Sequence, residues 1–83
     1  MEPVIDVHIP KLGMSTVEVD VIAVHVAPGD TVEPSTILLE VESEKANFEL
    51  EAGHSGTVWE VLVQEGTEAR VGDVVVRIEP KDR

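Results

Sequence analysis

Apolar and polar residues alternate repeatedly along the chain with a period of two, most strictly at residues 17–21, which is typical of half-buried β-strands. No window of the sequence has the 3.6-residue apolar period of an amphipathic helix. Valine is the commonest residue and aromatic residues make up only 2% of the chain, which favours thin packed sheets. The pattern therefore predicts an all-β fold, with strands at residues 4–9, 17–26, 37–42, 47–51, 57–63 and 74–79.

The turn signals of the sequence repeat at a fixed distance. Ala27-Pro28-Gly29-Asp30 has the proline and glycine that a type II turn requires at its two central positions. A shift of 37 positions places Gly29 on Gly66, and the apolar positions of residues 21–26 then coincide with those of residues 58–63. Two similar halves predict a pseudo-symmetric sandwich in which each half completes the sheet of the other.

Charge excludes several classes of partner. The chain has 83 residues, with 6 Lys and Arg against 17 Asp and Glu, so its formal net charge is −11. A domain this acidic is expected to bind neither nucleic acid nor an anionic membrane surface. It contains no cysteine, and its three histidines match no compact spacing of metal ligands, so no metal site is predicted. The sequence has no apolar run long enough to span a bilayer and no signal-peptide pattern.

One lysine stands out in the middle of the chain. Lys45 is the only Lys or Arg between Leu12 and Ala69, and it lies in a short connection between two predicted strands, where a tight hairpin is expected. Neighbouring carboxylates should keep its amine protonated, which argues against a nucleophilic lysine and leaves an exposed amine that another enzyme could modify. The alternative is an ordinary solvated surface lysine. The surrounding carboxylates are Glu40, Glu42, Glu44, Glu49 and Glu51.

Four motifs, in order along almost the whole chain, resemble those of lipoyl domains, the lipoate-carrying modules of 2-oxoacid dehydrogenase complexes. Ile9-Pro10-Lys11-Leu12-Gly13 resembles the opening strand and its Pro-x-Leu-Gly loop. The segment 26–32 resembles the Gly-Asp-x-Val turn, and Val41-Glu42-Ser43-Glu44-Lys45-Ala46 resembles the attachment hairpin. Gly56 and Gly72-Asp73-Val74 match the second half.

The resemblance implies a flattened β-barrel or sandwich of two four-stranded antiparallel sheets with pseudo-twofold symmetry, and a lipoate carried in amide linkage on Lys45 at a hairpin tip. It implies a carrier without catalytic residues of its own. The implied partners are a thiamine-diphosphate-dependent 2-oxoacid decarboxylase, an acyltransferase core, a dihydrolipoyl dehydrogenase, and the lipoate ligase or lipoyl transferase that modifies the lysine.

Two groups of residues are expected to mediate recognition by these enzymes. The first flanks the lysine and the second lies in the loop after the first strand, which in the family is near the hairpin. They are Glu42, Ser43, Glu44 and Ala46 in the hairpin, and Leu12, Gly13 and Met14 in the loop.

Alternatives to lipoate carriage remain open from the sequence. Most lipoyl domains have Asp where this chain has Glu44, which retains the charge but places the carboxylate one methylene further out. Biotin carriers share the fold but usually flank their lysine with methionines, whereas Glu44 and Ala46 flank Lys45. An unmodified lipoyl-like sandwich used for protein–protein interaction is the other alternative. We expect one domain over residues 1–83 with its core at about 4–79, in a bacterial cytoplasm or, in a eukaryote, the mitochondrial matrix.

Overall fold

A computed structural model of the chain describes residues 3–11, 18–44 and 46–81. These residues form eight β-strands and no helix, which confirms the all-β class predicted from the apolar periodicity. The strands are β1 Ile5–His8, β2 Glu18–Val24, β3 Thr31–Val32, β4 Ile37–Glu42, β5 Asn47–Glu51, β6 Gly56–Val61, β7 Glu68–Arg70 and β8 Val74–Pro80.

Six strands coincide with the predicted segments, with ends that differ by a few residues, and two were missed. The second predicted strand ends at Val24 rather than at residue 26, and the fifth covers Gly56–Val61 rather than 57–63. The missed strands β3 and β7 have only two and three residues, which is too short for an alternating pattern to be recognised.

The strands of the described residues form two four-stranded sheets in which every pairing is antiparallel. Sheet I has the strand order β1-β8-β6-β3, and sheet II has the order β5-β4-β2-β7. Each sheet therefore combines strands from both halves of the chain. This architecture confirms the fold predicted from the sequence.

Equivalent hydrogen bonds show the pseudo-twofold relation between the halves. Gly29 N–H donates to Val58 O at 2.8 Å, and Gly66 N–H donates to Val21 O at 2.7 Å, so each partner of one bond lies 37 positions from its counterpart. The strand irregularities obey the same rule, because the register of β2 against β4 shifts after Val21 and that of β6 against β8 shifts after Val58. Gly29 adopts a φ of 97°, as its predicted turn requires.

The inner faces of the two sheets share one hydrophobic cluster among the described residues. Its members are mostly β-branched or leucine side chains, which interdigitate in a sandwich core. The cluster consists of Ile9, Val19, Val21, Val32, Leu38, Leu39, Val41, Leu50, Ala52, Val58, Ala69, Val75, Val76 and Ile78.

The β4–β5 connection lies at one end of the molecule, and the beginning of β1 and the end of β8 lie at the other. β7 ends at Arg70 beside Glu18, close to the β4–β5 connection, and β8 then runs away from that end for seven residues. At its far end β8 pairs with the beginning of β1 through Ile78 and Ile5. Within the described ranges, no helix has the length and apolar character that a membrane span requires.

Candidate functional site

The hairpin formed by β4 and β5 is anchored in the core at its base. Leu39 pairs with Leu50 and Val41 pairs with Phe48, and all of these except Phe48 are at most 4% exposed. The next pair towards the connection, Glu42 and Asn47, is exposed on both strands. The apolar packing therefore ends one residue pair before the turn.

A set of short hydrogen bonds between Ser43 and Ala46 closes this hairpin. Ser43 N–H donates to Ala46 O at 2.8 Å, and the Ser43 hydroxyl donates to the same oxygen at 3.0 Å. In the opposite direction, Ala46 N–H donates to Ser43 Oγ at 3.2 Å. Only Glu44, which is exposed, and Lys45 lie between them in the sequence; Lys45 itself is outside the described residues. The predicted tight hairpin around position 45 is thus present.

The end of the loop that was expected to assist recognition lies near this hairpin. Asp20 of β2 pairs with Glu42, and because the strands are antiparallel, Glu18 lies on the hairpin side of Asp20. Glu18 pairs with Arg70, whose Nη2 lies 3.4 Å from Glu18 Oε2. The loop residues Leu12, Gly13 and Met14 lie outside the described residues, so their role in recognition stays a prediction.

The other flank of the same loop is tied to the turn between β7 and β8. Ile9 N–H donates to Asp73 O at 2.9 Å, and Gly72 N–H donates to Ile9 O at 2.8 Å. His8 adds a side-chain bond from Nδ1 to Gly72 O at 3.0 Å. Both flanks of residues 12–17 therefore meet at the β7–β8 turn, at the hairpin end of the molecule.

Carboxylates that are distant in the sequence share the outer face of sheet II. Asp20 lies directly opposite Glu42 on one side and Glu68 on the other, and Glu40 lies opposite Glu49. The sequence identified the glutamates around Lys45 but missed Glu18, Asp20, Glu68 and Arg70, which reach this end through strand pairing. The 37-residue repeat was the signal in the sequence that could have indicated β7, because it aligns β7 with residues 31–33, which include β3.

Two shallow depressions lie at symmetric corners of the described structure. The one at the hairpin end has a volume of about 250 Å³ and is lined by Glu18, Glu68, Ala69, Arg70 and Asp73. The other, about 490 Å³, is lined by residues of β3, the start of β6 and the end of β8, among them Thr31, Gly56 and Pro80. The described residues include no group of three His, Asp or Glu side chains arranged to hold a metal ion.

The remaining polar contacts of sheet I lie on its outer face. Arg77 Nε donates to Asp6 at 3.1 Å and Nη1 donates to Glu60 at 2.9 Å. These bonds raise the pKa of the Arg77 guanidinium above its ordinary value, and the bond to Glu60 has the larger effect. Trp59, on the same strand as Glu60, is 58% exposed. This network joins three strands and has no contact with the hairpin.

The fold and the site together define a carrier class of protein, in which a rigid two-sheet scaffold presents a hairpin with a lysine position at one end. The biotin/lipoyl family model, described as "Biotin-requiring enzyme", matches residues 5–78. The chain therefore belongs to the biotin/lipoyl attachment family, and the lipoyl-domain resemblance drawn from its motifs is confirmed.

Relatives and a solved structure agree with this membership. The chain is 42% identical over 74 residues to the dihydrolipoyllysine-residue acetyltransferase component of the pyruvate dehydrogenase complex of Staphylococcus aureus strain Mu50, and equally to that of Staphylococcus epidermidis strain RP62A. The match covers 89% of this chain but only 17% of each relative. The lipoyl domain of the 2-oxoglutarate dehydrogenase complex from Azotobacter vinelandii superposes with a TM-score of 0.74. That match covers 90% of this chain and 95% of the solved domain at 24% identity, and it shows the shared fold.

Proposed function

We propose that this chain carries lipoate in amide linkage on Lys45 and acts as a swinging arm within a 2-oxoacid dehydrogenase complex. The observation that carries the proposal is the hairpin closed at Ser43 and Ala46, because it confines position 45 to a two-residue connection beyond the packed core. Relatives named as acetyltransferase components of pyruvate dehydrogenase complexes support the same role.

Residues beside the lysine favour lipoate over biotin as the attached group. Biotin carriers usually have methionine on both sides of the lysine, whereas this chain has Glu44 and Ala46. Glu44 and Ala46 are both exposed, so an approaching enzyme can contact the residues that distinguish this hairpin from that of a biotin carrier. We therefore take lipoate as the group that this hairpin carries.

Lipoate would supply a dithiolane that accepts an acyl group with two electrons from a thiamine-diphosphate-dependent decarboxylase, gives the acyl group to coenzyme A at the acyltransferase core, and is reoxidised by dihydrolipoyl dehydrogenase. The scaffold's own contribution is to hold the attachment point. β4 and β5 are fixed in the core by Leu39, Val41 and Leu50, so the hairpin presents one position to successive partners at high effective concentration.

Intact-mass measurement after incubation with lipoate ligase, ATP and lipoate tests this proposal. We expect the mass to rise by one lipoyl amide and the formal net charge to change from −11 to −12, because the amide removes the charge of one amine. Lys45→Arg should abolish the increase. The matched controls Lys11→Arg and Lys81→Arg should leave it intact.

Other outcomes of the same experiment would identify the alternatives. Modification by biotin ligase and biotin, but not by lipoate ligase, would make the chain a biotin carrier. A wild-type chain that both active ligases leave unmodified would contradict carriage and favour an unmodified interaction module. Retention of the mass increase in Lys45→Arg would place the attachment at another lysine.

A further inference from the structure

The turn that contains Lys45 lacks the residues that usually stabilise a two-residue hairpin connection. Such connections favour Asn-Gly, Asp-Gly or Gly-X, because their central residues adopt positive φ. Here the two central residues are Glu44 and Lys45, and neither is a glycine or an asparagine. The turn therefore needs another source of stability than its central residues.

Packing and charge do not supply that stability at the tip. Apolar contacts between the strands end at Val41 and Phe48, and every described residue from Glu42 to Asn47 except Ser43 is exposed. Within the hairpin, Glu40 lies directly opposite Glu49, and like charges in that position oppose strand pairing. Local hydrogen bonds are what remain to order the tip.

The Ser43 side chain provides two of those bonds. Its hydroxyl donates to Ala46 O at 3.0 Å and accepts from Ala46 N–H at 3.2 Å, beside the backbone bond of 2.8 Å from Ser43 N–H to Ala46 O. A single hydroxyl thus contacts both polar backbone groups of the residue that follows Lys45. Alanine at this position would remove both side-chain bonds to Ala46 and keep the backbone bond from Ser43 N–H.

We infer that Ser43 is a positioning residue for Lys45. The Ser43 hydroxyl holds the turn in the one conformation that the lipoate-attaching enzyme recognises. This inference rests on the proposed function, and it assigns Ser43 a role through Ala46 rather than a contact with the enzyme. If only part of the population has the closed turn, the apparent affinity of the enzyme falls by that fraction while the chemical step is unchanged. The hydroxyl should therefore affect KM and not kcat.

Steady-state lipoylation of Ser43→Ala and Ser43→Thr tests the inference. We expect Ser43→Ala to raise the KM for the domain by about two- to tenfold with kcat retained, since a typical net hydrogen bond corresponds to a factor of this size. Ser43→Thr keeps the hydroxyl and should restore the wild-type KM. Amide hydrogen exchange measured by NMR should show faster exchange of Ala46 N–H in Ser43→Ala only.

Thr67→Val is the matched control, because the Thr67 hydroxyl donates to Gln64 O at 2.6 Å in another turn. It removes a comparable turn bond away from the hairpin and should leave the KM unchanged. An equal KM rise in Thr67→Val would attribute the effect to general stability and overturn the inference. So would an unchanged KM in Ser43→Ala, or a raised KM without faster Ala46 exchange, which would indicate direct contact between Ser43 and the enzyme.

Failure of the proposed function is distinguishable from failure of this inference. A wild-type chain that is never lipoylated contradicts the proposed function, whereas lipoylation of Ser43→Ala with wild-type constants contradicts the positioning role alone. The Ala46 exchange measurement needs no ligase. Unchanged exchange of Ala46 N–H in Ser43→Ala would therefore contradict the positioning role of Ser43, whether or not the chain is lipoylated.

Discussion

Gly56 shows how one residue can be required by a neighbour that is distant in the sequence. Its φ is not among the positive values found at Gly29, Gly53, Gly66 and Gly72. A Cβ at Gly56 would instead lie 2.2 Å from Glu79 O and 2.9 Å from Ile78 Cγ2. The close approach of β6 to β8 therefore excludes any side chain at this position.

We expect Gly56→Ala to lower the free energy of unfolding by about 3 kcal/mol, because one of the two strands must move to admit the methyl group. Urea denaturation followed by far-ultraviolet circular dichroism measures the change. Gly29→Ala is the control: its Cβ meets nothing within 4 Å, and only the φ of 97° opposes it, at a cost of about 1 kcal/mol. A loss in Gly56→Ala no larger than in Gly29→Ala would contradict the steric explanation.

At the scale of elements, the β4–β5 hairpin combines a packed base with a charged exposed side. Leu39, Val41 and Leu50 hold the strands through the core, while Glu40 and Glu49 lie opposite each other on the outer face. His25, which follows β2, contacts Glu40 of this pair, with its Nε2 2.8 Å from Glu40 Oε2. Apolar burial thus fixes a hairpin that its own exposed charges weaken.

Glu49→Gln should stabilise the domain by about 0.5 kcal/mol, because it removes a like charge directly opposite Glu40. Urea midpoints of the variant and wild type at low ionic strength measure the difference, which should shrink as salt is added. Glu65→Gln removes the same charge from a turn residue outside the strand pairings and serves as the control. If Glu49→Gln and Glu65→Gln stabilise the domain equally, repulsion between Glu40 and Glu49 is not the explanation.

At the scale of the whole molecule, the two sheets are related by the pseudo-twofold axis but differ in surface charge. Their backbone bonds repeat across the pseudo-twofold axis, yet the outer face of sheet II carries opposed carboxylates, whereas in sheet I Arg77 joins Asp6 and Glu60. The domain measures 39 × 21 × 19 Å and has a formal net charge of −11. Self-repulsion is therefore a property of the whole fold as well as of single pairs.

We expect the urea midpoint of unfolding to rise between 0.01 and 1 M NaCl. Over this range the Debye length falls from about 30 Å to about 3 Å, so repulsion that acts across the whole domain at low salt becomes confined to neighbours. Sodium chloride avoids the general strengthening of apolar burial that sulfate produces. A midpoint that stays constant or falls would show that attractive pairs, such as those of Arg70 and Arg77, offset or outweigh the net repulsion.

Much of the fold and the position of the candidate site could be predicted from the sequence. Alternation of apolar residues identified the six longer strands, and the proline and glycine of residues 27–30 identified a turn, because these preferences act between near neighbours. The motif around Lys45 identified the hairpin and its lysine by resemblance. Neither the loop at Leu12, Gly13 and Met14 nor Lys45 itself is among the described residues, so these assignments stay predictions.

The sequence by itself determined the all-β class, the longer strands and the turn around position 45. Only the tertiary structure decided the strand pairings, and with them the short strands β3 and β7, the requirement for Gly56, and which carboxylates share the outer face of sheet II. The physical reason is range: alternation and turn chemistry act over a few residues, whereas register and steric fit depend on atoms far apart in the sequence.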